Sequence, residues 1–72
     1  MDHKFTEADI GKKVIYKKDF GENEEGIIKK VTTNTVFVVY PGDNDAKKEH
    51  WENYTAAATN PEDLILKDKY ND

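Results

Sequence analysis

The chain has 72 residues and a formal net charge of −4, with 36% charged residues, 36% hydrophobic residues and no cysteine. That length allows one domain with a small core, and the missing thiols exclude a disulfide framework and thiolate metal ligation and fit a reducing compartment. All eleven cations are lysine; without Arg, the bidentate reader of phosphate and guanine, and with a negative balance, DNA or RNA is disfavoured as a direct ligand.

The N-terminus carries no apolar stretch of signal-peptide length. No run approaches the ~20 apolar residues of a membrane helix. A cytoplasmic chain with no membrane partner is expected. The charge content alone would suit disorder, but the apolar residues are clustered and alternating, which points to a fold.

Thr6-Glu7-Ala8-Asp9 has the spacing of a capping box, and Gly11 follows closely, so one short helical turn is predicted. Residues 12–16 read as the first strand, with Val14 and Tyr16 on one face and Ile15 on the other. Lys12, Lys13, Lys17 and Lys18 bracket it. They suit either a solubilised strand edge or a basic docking stripe. Residues 19–25, DFGENEE, form an acidic loop in which Phe20 either folds back onto the core or waits for a partner.

Residues 26–40, GIIKKVTTNTVFVVY, are the most β-branched stretch and predict a hairpin turning at Thr33-Asn34, where Asn can adopt a left-handed backbone. Gly26 suggests a close backbone approach or a bulge. Ile28 and Val31 both face inward only if the strand bulges between them, at Lys29 and Lys30. In the third strand Val36, Val38 and Tyr40 line one face and Phe37 and Val39 the other, so the second face either packs under a loop or makes contacts.

Pro41-Gly42 ends that strand. Asn44 or Asp45 can cap a helical turn running to His50 in the polar segment that follows, where Trp51 stands alone. Residues 54–59, YTAAAT, are read as a strand whose small side chains fit a close crossing. Asn60-Pro61 starts a helical turn, Leu64-Ile65-Leu66 is the last strand, and residues 68–72 are a frayed polar tail after a single domain spanning 1–67. Val14, Ile28, Val36, Val38 and Leu64 are expected to form the core.

DIGKKVIY, EEGIIKKV, TVFVVY and TNPEDLIL together resemble small phage and prophage proteins of unknown function with an SH3-like barrel, a pattern shared by KOW and Tudor modules. The resemblance implies a mainly β, five-stranded SH3-like barrel with short helical turns near the N-terminus and before the last strand. A KOW-like reading further implies nucleic-acid or ribosomal partners through Lys12, Lys13, Lys17, Lys18, Lys29 and Lys30.

Residues 43–45, DND, begin like a calcium loop, but Lys47, Lys48 and Tyr54 occupy the fifth, sixth and twelfth places, and the pattern fails. His3 and His50 have no ligand-spaced companions, so neither zinc nor any other cofactor is expected. With no Cys, no Ser and no Gly-rich phosphate loop, no catalytic residue is assigned, and so short a chain leaves little room for a buried pocket. Binding remains. The acidic segments hold aromatics, a composition typical of protein contact surfaces, and Phe20, Glu22, Glu24, Glu25, Asp43, Asp45, Trp51 and Tyr54 are the candidate site. Trp51 either closes one end of the barrel or belongs to that surface. The expected function is a non-enzymatic protein-binding module, in its sharpest form a small acidic phage-encoded inhibitor or modulator of a host protein. A virion or assembly component is a further alternative.

Overall fold

A computed structural model describes residues 4–18 and 20–70; His3, Asp19 and the last two residues of the tail lie outside them. Five strands, β1 (Lys13–Tyr16), β2 (Glu24–Val31), β3 (Val36–Val39), β4 (Ala57–Thr59) and β5 (Leu64–Leu66), form one antiparallel sheet in the order β4-β3-β2-β1-β5. The chain meanders through the first four strands and returns to lay the last beside the first. β4 and β5 end the sheet, so hydrogen bonding does not close it into a barrel. β1 lies between β2 and β5. Its flanking lysines therefore do not guard a sheet edge.

The inner face is built from the residues whose alternation marks them. Val14, Ile28, Val36, Val38 and Leu64 pack as one buried cluster, with Tyr16, Val31, Tyr40 and Leu66 against it. Phe5 joins that cluster from ahead of the first turn, a contribution that no periodicity announces. The β2–β3 register shifts between Ile28 and Lys30. That bulge turns Lys29 out of the ladder and lets Ile28 and Val31 both face inward. Gly26 sits across from the aromatic end of β3. A Cβ there would collide with Val38 Cγ1 and come within 3.0 Å of the Tyr40 ring.

The hairpin turn departs from expectation. Among the described residues only glycines have positive φ, so Asn34 is not left-handed. Thr32 holds the turn instead: its N–H donates to the Thr35 carbonyl at 2.9 Å, and its hydroxyl bonds both the N–H and the C=O of Thr35. A Thr side chain bonding nearby backbone offers a route to a tight turn without a left-handed residue.

Short helical pieces complete the fold. The turn Glu7–Asp9 carries a full capping box between Thr6 and Asp9. The Thr6 N–H, and after it Lys12, hold the Asp9 carboxyl below its ordinary 3.8 against the opposing pull of burial. Helix α1 (Asp45–Glu49) is capped by Asn44, a 3₁₀ turn Trp51–Asn53 follows, and Asn60 caps another at Pro61–Asp63. Where a loose tail is expected, Lys67–Lys69 form a turn and the Tyr70 hydroxyl accepts a bond from Asn23 at 3.1 Å. β4 is an edge strand with Ala57 and Ala58 exposed, so their small size serves no close crossing. Thr59 turns inward, and its hydroxyl donates to the Ala57 carbonyl while lying 2.9 Å from the Tyr40 hydroxyl. A Thr hydroxyl has one proton, so Tyr40 is the donor of that pair.

Candidate functional site

The β1–β2 connection stands out first. Tyr16 pairs with Glu24 as the last pair before the connection. Phe20 at its tip is 90% exposed, so it does not fold back onto the core. The base of the loop is fastened. Asn23 accepts from the Lys18 N–H and donates to Tyr70, while the Lys17 N–H donates to the Asp63 carbonyl at 2.8 Å. Gly21, at φ 84°, allows a turn there that most side chains would resist. The loop is thus an exposed aromatic on an anchored stalk.

Behind the tip, the outer sheet face carries Ile15, Ile27 and Val39, all buried. Two open recesses flank them. One of about 580 Å³ is lined by Ile15, Glu22, Glu25 and Tyr70 among others. The other, of about 470 Å³, is lined by Ile27, Glu25, Asp43 and three lysines. Both are open surface recesses and not buried pockets. Glu25 belongs to both recesses, which links Glu22 in one with Asp43 in the other. Glu24 alternates to the other face of its strand.

Three of the five candidate acids, Glu24, Glu25 and Asp45, are answered locally. Glu25 pairs with Lys67 at 3.1 Å and lies 3.9 Å from Lys13, Glu24 pairs with Lys18 at 3.1 Å, and Asp45 lies 3.8 Å from Lys48. Glu22 makes no ion pair among the described residues. These surface pairs contribute little stability each, but they flatten the potential that the sequence suggests.

Trp51 and Tyr54 line neither recess. The Trp51 ring rests against Gly11, and Tyr54 approaches the β2 bulge, where Lys29 Nζ donates to its carbonyl at 2.6 Å. Trp51 is half-buried and lies outside the buried core cluster.

The lysines divide in the same way. Lys12, Lys13 and Lys18 are engaged with Asp9, Glu25 and Glu24. Lys29 and Lys30 make no ion pair among the described residues. They line a groove of about 410 Å³ with Phe37, Thr55 and Ala56, and no acid lines it. Lys30 Nζ lies 6.0 Å from the Phe37 ring centre, and Lys47, which sequence spacing does not connect to this face, lies 5.6 Å from that of Tyr54. Strand alternation does place Phe37 on this outer face, so that part of the groove is legible. The turn Trp51–Asn53 carries Tyr54 there.

Among the described residues no group of three or more His, Cys, Asp or Glu is placed to hold a metal, and no helix is long and apolar enough to cross a membrane. No family model matches the chain, and neither a curated protein nor a solved structure matches it.

Proposed function

We propose that the chain is a non-enzymatic protein-binding module whose anchor is Phe20. The observation that carries this reading is the 90% exposure of a large aromatic on a loop fastened at its base. Burying such a ring yields the free energy of an interface anchor, and the hydrogen bonds of Lys17, Lys18 and Asn23 at the base of the loop limit what docking has to fix. Glu22 beside it supplies one unanswered carboxylate, which suits a partner pocket with an apolar floor and a Lys or Arg at its rim.

The strand order, with the last strand returning beside the first, and the bulge in β2 support an SH3-like description of the fold. Together with the resemblance of the four sequence motifs, they support the sharper reading of a phage-encoded modulator of a host protein acting in the host cytoplasm. A host protein that itself binds nucleic acid fits an acidic ligand by charge.

Affinity capture in the native host cell, comparing the wild type with Phe20→Ala and Glu22→Lys, tests the reading. A partner retained by the wild type and lost by both variants supports it. An unchanged set of captured proteins sinks it.

A further inference from the structure

We propose that the chain docks head to tail on a second copy of itself, the Phe20 tip of one copy seating in the groove of Lys29, Lys30 and Phe37 on the next. The inference rests on the reading of Phe20 as a contact residue and gives that residue a second partner.

The two surfaces complement each other. The tip offers an apolar ring, 90% exposed, and in Glu22 a carboxylate with no ion-pair partner among the described residues. The groove offers an apolar floor, Phe37 and Ala56, with lysines along it and no acid. Lys47 beside Tyr54 extends its positive side. Outside the groove Lys12, Lys13, Lys18, Lys48 and Lys67 are each within reach of a carboxylate, while Lys4, Lys17 and Lys69 make no ion pair among the described residues. Lys29, Lys30 and Lys47 lie against aromatics or a carbonyl instead. The groove is thus a local cationic, aromatic site on a chain of net charge −4. Charges beyond about 8 Å are screened at physiological salt, so a tip bearing one carboxylate meets chiefly the groove lysines, whereas a polyanion running past the groove also meets the acids outside it.

The placement makes the contact heterologous. β2 runs from Glu24, next to the tip, to Val31, next to the groove. At roughly 3.3 Å per residue the two ends of that strand lie about 20 Å apart. Tip and groove therefore do not overlap, and one copy can use both at once. Such a contact propagates as an open chain or closes as a ring and is not satisfied by a symmetric pair. A single anchor and its rim bury less than the roughly 1,200 Å² of a stable interface, so the association is weak and concentration-dependent.

The test is sedimentation velocity on the full chain from about 10 µM to about 1 mM, a range bracketing weak association. The wild type is expected to grow in mean mass past the dimer as concentration rises. Phe20→Ala and Lys30→Glu change exposed residues, so both should melt like the wild type. Each should move the onset of association up by roughly tenfold or more. An equimolar mixture of the two variants retains one intact groove and one intact tip. It should form heterodimers and stop there.

A wild type that stays monomeric throughout overturns the inference, as does association that neither variant weakens or a mixture that fails to pair. A labelled oligo(dT) bound with micromolar affinity that Lys30→Glu abolishes also overturns it and gives the groove to single-stranded nucleic acid. None of these results touches the role of Phe20 in capturing another protein, which fails only when Phe20→Ala captures the same partners as the wild type.

Discussion

The indole of Trp51 lies over the backbone of Gly11, with Cζ2 3.5 Å from where a side chain at position 11 would begin. Gly11 has φ 94°, so the position both needs glycine for its conformation and leaves room for the ring. This contact ties the segment after α1 to the first turn of the chain.

Trp51→Ala should therefore cost about 2 kcal/mol, the worth of roughly half a ring that buries about 200 Å² when fully enclosed. That is less than the 3–5 kcal/mol of a fully buried Trp. Emission should be only partly blue-shifted and partly quenched by iodide. Free-indole emission with an unchanged melting temperature would mean that the Gly11 contact is not populated in solution. Gly11→Ala should destabilise as well, by about 1–3 kcal/mol, because an L side chain resists that backbone conformation.

Gly26→Ala is expected to be the most damaging small substitution in the sheet. The added methyl would collide with Val38 Cγ1 and crowd the Tyr40 ring, both part of the core or packed against it. Overpacking of this kind costs about 1–3 kcal/mol. For a domain of this size each kcal/mol lowers the melting temperature by roughly 4–8 °C. Val38→Ala combined with Gly26→Ala should destabilise less than the sum of the two changes, since the shortened side chain relieves the collision. Strict additivity would show that the strands separate to admit the methyl.

Most of the sheet was legible because alternation and turn chemistry are local. The inner-face residues, the bulge between Ile28 and Val31 and the caps at Thr6, Asn44 and Asn60 all follow from spacing within a few residues. What was hidden is long-range. Phe5 has no periodic partner to mark it as core. Whether β1 is an edge depends on where β5 returns. The candidate site was legible in composition only. Sequence showed acids beside aromatics at 20–25 and 43–54, but which acids meet a lysine is decided by pairings such as Glu25 with Lys67, 42 residues apart. With those pairs removed, Glu22 and Asp43 remain of the candidate acids, and the groove lysines are among the cations left without an ion pair among the described residues.

Asp9 gives the fold an acid-sensitive clasp. Its carboxyl is held below the ordinary 3.8 chiefly by the Thr6 N–H and then by Lys12. A depressed carboxyl stabilises the fold fully above its unfolded value and loses that contribution as pH falls through the lower folded value. Asp9→Ala should cost about 1 kcal/mol near neutral pH, as for a lost cap. The gap in melting temperature between the wild type and this variant should persist down to about pH 4 and then close. A gap that stays constant to pH 2 would show that the carboxylate takes no part.

Lys29 is the residue through which the bulge acts on the rest of the chain. A regular strand would keep the ladder in register past position 29; the shift between Ile28 and Lys30 frees this side chain to cross to the segment before β4. Its ammonium reaches the Tyr54 carbonyl at 2.6 Å in a half-buried setting, and Tyr54 in turn lies beside Lys47. A hydrogen bond to a charged donor contributes about 1.5–3 kcal/mol when shielded, and less where water competes. Lys29→Met keeps the aliphatic stem and removes only the donor, so a loss of about 1 kcal/mol is expected. The local consequence should be larger than the global one. Residues 54–56, released from β2, should exchange their amide hydrogens faster, while the paired amides of β1 and β3 stay protected. Lys29→Arg should restore much of the protection, because its guanidinium can reach the same carbonyl. Should exchange at 54–56 be unchanged in Lys29→Met, the segment is held by Trp51 and the sheet edge alone, and the lysine contributes nothing to its order.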